Sequence, residues 1–450
     1  MAPLPQTMKH AANVLLMLLS VTICCCDSAN LRLQLTHVDA GRGLTGRERL
    51  HRMTQRSAAR AMQLLSARSG DRSASAPVNP GAYGSIFPYT EYLVHLSVGT
   101  PPQEVQLTLD TGSDLVWTQC QPCPASDCFH QTLPLFDSSA SSSFASLPCS
   151  STACENPCAN DNQDNLSCNY RYSYGDGSVA EGEIGNDTFT FGTGDDAGER
   201  VAVPGLVFGC GHANNGIFTS NETGIAGFGR GALSLPSQLK VDNFSHCFTN
   251  ITGSQSSTVL LGLPANLYGS GNGNGSVIQS TPFVQSPSRD PTKYYISLKG
   301  VTVGSERLQI PESMFALQPN GTGGTIIDSG LAITSLPEDA YKQVCHAFES
   351  QLDLPRDTNY SDEQPCFKTS PGSTPDVPRL AFHLEGATLD LPQENYVFKD
   401  ANSNVLCLVI DKAKVGEPAS IGNYQQQNMH VLYDLQHNML SFVPAQCDQL

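Results

Sequence analysis

The chain has 450 residues, room for two or three domains each with its own core. Its formal net charge of −17 hides a division: residues 27–80 carry nine Arg and no Lys against four Asp or Glu, a balance of +5, whereas residues 81–450 carry 15 basic against 38 acidic residues, a balance of −23. An acidic body argues against nucleic acid as a partner, and no stretch beyond the amino terminus is apolar enough for the roughly 20 residues that a bilayer crossing needs.

In chain order, residues 1–26 read as a signal peptide. Lys9 and His10 are followed by the apolar run AANVLLMLLSVTICCC, which ends in small residues. Residues 27–85 form a basic leader. LRLQLTH alternates like a strand, a basic helix is expected through about Leu65, and SGDRSASAPVNPGAYGS is a Ser/Pro/Gly linker suited to processing. Such a leader could bind nucleic acid or membrane, or be disordered. The more economical reading is an intramolecular one, a prosegment lying on an acidic cleft, with an attraction that weakens as carboxylates protonate.

The body is read as two units, 86–285 and 286–450. EYLVHLSVG and VQLTLD alternate apolar and polar residues, and TFTFG, VAVPGLVFG, VLLGLP, KYYISLKGVTVG, NVLCLVI and HVLYDLQHNMLSFV repeat the pattern between Gly, Asn and Ser turns. One segment, PEDAYKQVCHAFESQL, has helical spacing, with Tyr341, Val344, Cys345, Phe348 and Leu352 on one face. The expectation is an all-β protein with a few short helices.

Within it lies a faint repeat. LTLDTGSDL around Asp110 is matched by TIIDSGLAI around Asp328, and each is followed by an apolar-Gly element, TGIAGFGRG and ASIGNYQQQ. Two homologous lobes, each presenting an Asp on a tight turn, would place two carboxylates at one interface. Two such groups cannot both ionise cheaply, so they share a proton. One then acts as base on a water held between them, and the other protonates the scissile carbonyl oxygen. Neither metal nor cofactor is required.

Thirteen cysteines lie beyond the signal, and eight Asn-x-Ser/Thr triplets, at Asn165, Asn186, Asn221, Asn243, Asn250, Asn274, Asn320 and Asn359, suit a glycosylated surface. In an oxidising compartment the cysteines read as disulfides plus one thiol. The spacing of Cys120, Cys123 and Cys128 also allows zinc, but no matching His cluster accompanies it.

DTGSDLVW and DSG, with YSYGDGS between them, resemble a pepsin-type aspartic protease. WTQCQPCPASDCF, FGCG, GRGALSLPSQL, IGNYQQQNMHVLYD and LSFVPAQC are similar to the plant nepenthesin-like group. The resemblance implies a bilobal pepsin-like fold with two β-barrel-like lobes and a central cleft. It makes Asp110 and Asp328 the catalytic pair, and Thr111, Ser113 and Ser329 its support. Gly112 and Gly330 belong to the same turns. Tyr174 would be the flap tyrosine over the substrate cleft, with Trp117 behind it. Implied disulfides are Cys120–Cys123, Cys128–Cys210, Cys149–Cys168, Cys154–Cys158, Cys247–Cys447 and Cys366–Cys407, leaving Cys345 as a buried inert thiol. One departure stands out: the group usually has a hydroxyl at the fourth position of both motifs, and Leu331 replaces it in the second.

The implied function is a secreted, zymogen-activated aspartic endopeptidase, apoplastic or vacuolar, acting on extended polypeptides at acidic pH. It would be a monomer without a membrane anchor, held inactive by its own propeptide and inhibited by pepstatin-like compounds. The alternative is an impaired or inactive pepsin-fold binding or inhibitor protein.

Overall fold

The computed structural model describes residues 31–54, 92–154, 167–174, 178–192, 200–216, 218, 221–251, 256–262, 277–288, 290–361 and 364–449. The expected signal peptide, the leader beyond residue 54 with its linker, and Asn165, Asn274 and Cys158 lie outside them.

A 14-stranded sheet runs through both halves of the chain. At one end are the C-terminal strands Gln279–Pro282, Met439–Pro444 and Met429–Asp434; the path continues through Asn243–Cys247 and Ser257–Leu261 into the N-terminal half. There Tyr92–Val98 pairs with Gln103–Asp110 so that Leu96 faces Val105 and Val94 faces Leu107, which puts the alternating apolar residues on one buried face. The second lobe is built from sheets of five, four and three strands. The predicted helix is Glu338–Gln351; it buries Val344 and Phe348 and leaves Tyr341 and Cys345 half-buried. This is the bilobal, pepsin-like, mostly β architecture expected from the motifs.

The repeat is a structural repeat. Gln103–Asp110 lies parallel to Gly224–Gly227, with Asp110 opposite Gly227. Thr325–Ile327 lies parallel to Ala419–Ile421. Each apolar-Gly element thus flanks the strand that delivers an Asp. The approach is too close for a side chain: a Cβ at Gly227 would meet the Asp114 backbone at 2.2 Å, and one at Gly422 the Ile333 backbone at 2.7 Å. After Gly422, the buried glutamines of YQQQ replace ladder bonds with side-chain ones. Gln425 accepts from the Thr334 N–H and donates to the Asn395 and Val409 carbonyls, and Gln427 accepts from the Ile251 N–H in the other lobe.

The leader corrects an expectation. Its described part does not rest on the molecule as a charge-held strap; strand Leu31–His37 is inserted in the sheet between Ser257–Leu261 and Tyr92–Val98, with Leu31, Leu33 and Leu35 buried. Residues 46–54 are helical, opened by a capping box in which the Glu48 N–H donates to Thr45 Oγ1 and the Thr45 N–H to Glu48 Oε2. Leu50 and Met53 are buried, Arg49 donates to the Ile251 carbonyl at 2.6 Å, and Arg52 pairs with buried Asp39 at 2.6 Å. Ladder bonds and apolar burial, with charge as a supplement, hold this segment.

Four disulfide assignments also change. The structure joins Cys120 to Cys210 and Cys123 to Cys128, in place of Cys120–Cys123 and Cys128–Cys210. It joins Cys154 to Cys168, in place of Cys149–Cys168 and Cys154–Cys158, and Cys149 is oxidised with a partner outside the described residues. The reason is strand pairing: Trp117–Gln119 lies parallel to Val201–Asn215 with Thr118 opposite Cys210, which brings the Cα atoms of Cys120 and Cys210 to 5.3 Å. The same bonds exclude zinc at this trio. Cys247–Cys447 and Cys366–Cys407 are present as expected. Cys345 is the free thiol among the described residues, and burial pushes its pKa up to about 11.

Candidate active site

Asp110 ends its strand and Asp328 follows Thr325–Ile327; both are buried, at 1% and 0% exposure. Stiff apolar residues on either side fix the approach of each backbone. In each turn the glycine two residues on donates its N–H to the Asp Oδ1, Gly112 to Asp110 and Gly330 to Asp328, both at 2.9 Å. The two motifs are then tied to each other. The Thr111 N–H donates to Ser329 Oγ at 3.0 Å, the Ser329 N–H to Thr111 Oγ1 at 2.9 Å, and Ser329 Oγ to the Leu109 carbonyl at 3.0 Å. Residues 218 apart in sequence therefore share one buried, reciprocal hydrogen-bond set.

The symmetry breaks at the fourth position. Ser113 Oγ donates to Asp110 Oδ2 at 2.5 Å. Its counterpart Leu331 keeps the backbone role: the Asn423 N–H donates to the Leu331 carbonyl at 2.7 Å as the Gly229 N–H does to the Ser113 carbonyl at 2.8 Å. The side chain, however, is buried among Tyr295 and Ile326, with Val284 and Leu317 alongside. An apolar pocket takes the place of a hydroxyl donor.

Tyr174 continues the hairpin of Asn169–Ser173 and Val179–Phe191, closed by its N–H donating to the Ser178 carbonyl at 2.7 Å; the tip, 175–177, lies outside the described residues. The Trp117 indole N–H donates to the Tyr174 hydroxyl at 2.6 Å. Both side chains are buried, and burial, helped by Tyr172 nearby, raises the Tyr174 pKa well above its ordinary value, so the phenol stays neutral. Of the described sequons, Asn320 and Asn359 are exposed; Asn186, Asn221, Asn243 and Asn250 are half-buried, and Asn221 Nδ2 donates to the Val38 carbonyl of the leader.

Two contributors were not read from the sequence. Asn423 donates its side-chain amide to the Ser329 carbonyl at 3.0 Å, beneath the second Asp; its place directly after the repeat's glycine was the available signal. Phe129, in the Cys-rich insert, packs edge-on to Trp117, and nothing in its local sequence points there. Among the described residues no group of His, Cys, Asp or Glu could hold a metal, and no helix is long and apolar enough to cross a membrane.

A family model described as xylanase inhibitor N-terminal matches residues 92–263, and one described as xylanase inhibitor C-terminal matches residues 293–444. The chain is 42% identical over 419 residues to aspartic proteinase nepenthesin-1 of Nepenthes gracilis, covering 92% of this chain and 90% of that protein. It is 34% identical to aspartyl protease family protein 2 of Arabidopsis thaliana, over 93% of this chain and 86% of that one. The solved structure of edgp aligns with a TM-score of 0.62 at 21% identity, covering 78% of this chain and 91% of that one. Basic 7S globulin from soybean aligns at 0.60 and 18%, over 79% and 93%. At such identities the structures share the fold alone. With relatives at this identity across nearly its full length, the chain belongs to the pepsin-type aspartic proteases of the plant nepenthesin-like group and is an aspartic-type endopeptidase.

Proposed function

We propose that the protein is a secreted acid endopeptidase, made as a zymogen, in which Asp110 and Asp328 share one proton and activate a water held between them. The carboxylate takes a proton from the water as its oxygen attacks the scissile carbonyl carbon, and the other Asp gives its proton to the carbonyl oxygen. Collapse of the tetrahedral intermediate returns a proton to the leaving amine and restores the pair. Tyr174 closes over an extended polypeptide lying across the cleft, a substrate class in keeping with the proteinase names of the relatives. The leader strand occupies a place in the sheet until acid processing removes it. The observation that carries this reading is the reciprocal bonding of Thr111 and Ser329, which a pair of surface turns would not need.

The test is cleavage of a denatured protein by the acid-treated proform between about pH 2.5 and 7, beside pepstatin-inhibited and Asp110→Asn samples. Acid-dependent cleavage lost in both controls is expected. No cleavage from folded protein freed of its leader would refute the reading in favour of the binding-protein alternative, for which Leu331 and the inhibitor name of the matching family models are the arguments.

A further inference from the structure

We infer that Phe129 is a positioning residue for the flap: held directly after the loop closed by Cys123–Cys128, its ring fixes the Trp117 indole in the orientation from which the indole N–H reaches the Tyr174 hydroxyl. The inference rests on the reading of Tyr174 as the residue that closes over substrate.

A buried indole N–H needs an acceptor, and whether it meets one depends on two side-chain torsions. Trp117 is fully buried, and two rings meet it edge-on: Phe129 with centroids 6.4 Å apart at 82°, and Phe218 at 5.6 Å and 80°. Those two rings are themselves stacked, 4.4 Å apart at 24°. Removing Phe129 therefore takes away one wall of the Trp117 site and the support of the other.

Phe129 can act as a wall because its backbone is anchored. Its carbonyl accepts from Gln119 Nε2 at 3.0 Å, and the same nitrogen donates to Gln131 Oε1 at 2.7 Å. Two residues earlier, the Asp127 carbonyl accepts from the Asn214 N–H at 2.5 Å, on strand Val201–Asn215. The Cys123–Cys128 disulfide closes the loop ahead of it, with Cα atoms 5.9 Å apart. Pro122 and residues 124–126 are exposed, so the loop contributes little to the core. What it delivers inward is one aromatic ring. From loop to flap the contacts are continuous: Phe129 to Trp117 to Tyr174. Proposals of this kind need a coupling measurement, and this one allows it.

Trp117 is the only tryptophan in the chain, so its emission reads the site directly. For Phe129→Ala the expectation is a red-shifted Trp117 emission and a kcat/KM lower by about three- to tenfold, the change an aromatic contact of this kind supports. The loss falls on KM for peptide, and the pH profile, set by the aspartates, stays in place. Phe129→Tyr, which keeps the ring, restores both; Phe129→Leu, which keeps the bulk, serves if the alanine variant does not fold. In a Tyr174→Phe background the Phe129→Ala loss in kcat/KM should disappear, because the two act through one bond. Unchanged emission with kcat/KM within twofold of the parent would overturn the inference, as would full additivity with Tyr174→Phe. If the parent itself fails to cleave, the endopeptidase mechanism falls, and the emission of folded Phe129→Ala alone decides the brace.

Discussion

Position 331 gives a direct measure of what one hydroxyl does at the aspartate pair. Leu331 and Ser113 occupy equivalent places, with equivalent backbone bonds, and differ in the side chain. The Ser113 bond to Asp110 is short, 2.5 Å, as expected of a donor to a carboxylate. A hydrogen bond to a charged group is worth about 1.5–3 kcal/mol. At about 1.4 kcal/mol per pH unit, Leu331→Thr should, on the proposed mechanism, hold the singly ionised pair to lower pH and move the activity optimum about one to two units toward acid. The cost is in packing. Leu331 is 1% exposed among Tyr295 and Ile326, so the smaller polar residue should destabilise the protein by about 2–3 kcal/mol. Leu331→Val separates the two effects, being the shape of threonine without its donor. The assay is the pH dependence of kcat/KM on a quenched peptide, with active sites titrated by pepstatin, beside thermal melting. Both variants should melt lower, and the threonine variant alone should shift its profile. A threonine profile that stays with the valine one, or moves toward neutral pH, would refute the reasoning.

Three further outcomes are expected. His246 and His430 are buried, and burial lowers their pKa values to about 3 and about 4. The unfolded chain takes up those protons from about pH 6.5 downward while the folded chain does not, so stability falls with pH at about 1.4 kcal/mol per unit per histidine down to those values and levels off below them. His246→Phe, which keeps the stack on Phe248 at 4.0 Å, should reduce that slope by one proton in urea midpoints measured from pH 7 to 4; an unchanged slope counts against it. Arg52→Ala removes the 2.6 Å ion pair to buried Asp39 and should loosen the helical part of the leader. On the zymogen reading it should speed leader removal in acid, followed by gel and N-terminal sequencing; leader removal at the parent rate would count against the docking role. Finally, peptide mapping without reduction should recover Cys120 linked to Cys210 and Cys123 linked to Cys128; a Cys120–Cys123 peptide would contradict the strand pairing described above.

Much of the molecule was legible in one dimension because the signals are local or repeated. Alternation in VQLTLD is a statement about which face of a strand is wet, and it holds wherever the strand sits. Two Asp-Thr/Ser-Gly turns behind apolar strands, each followed by an apolar-Gly element, announce a duplicated lobe, and duplication places the two turns at a common interface. The deviation at Leu331 could be seen from the same comparison. Charge was a poorer guide. The basic leader suggested attraction to an acidic surface, yet LRLQLTH is held by a ladder on both edges and by three buried leucines, forces that a net charge does not report.

The amino-acid order by itself determined the strands, the two aspartate turns and the family, since each depends on residues close together or on a pattern that repeats. Only the tertiary structure decided which sulfur meets which, where the leader inserts, and that Phe129 backs Trp117. These are contacts between segments tens to hundreds of residues apart: Cys120 reaches Cys210 because two strands run parallel, and Leu31 meets Leu261 because a sheet has room between two of its strands. Pairing of that kind is set by register and space in the folded sheet, and local sequence carries no record of it.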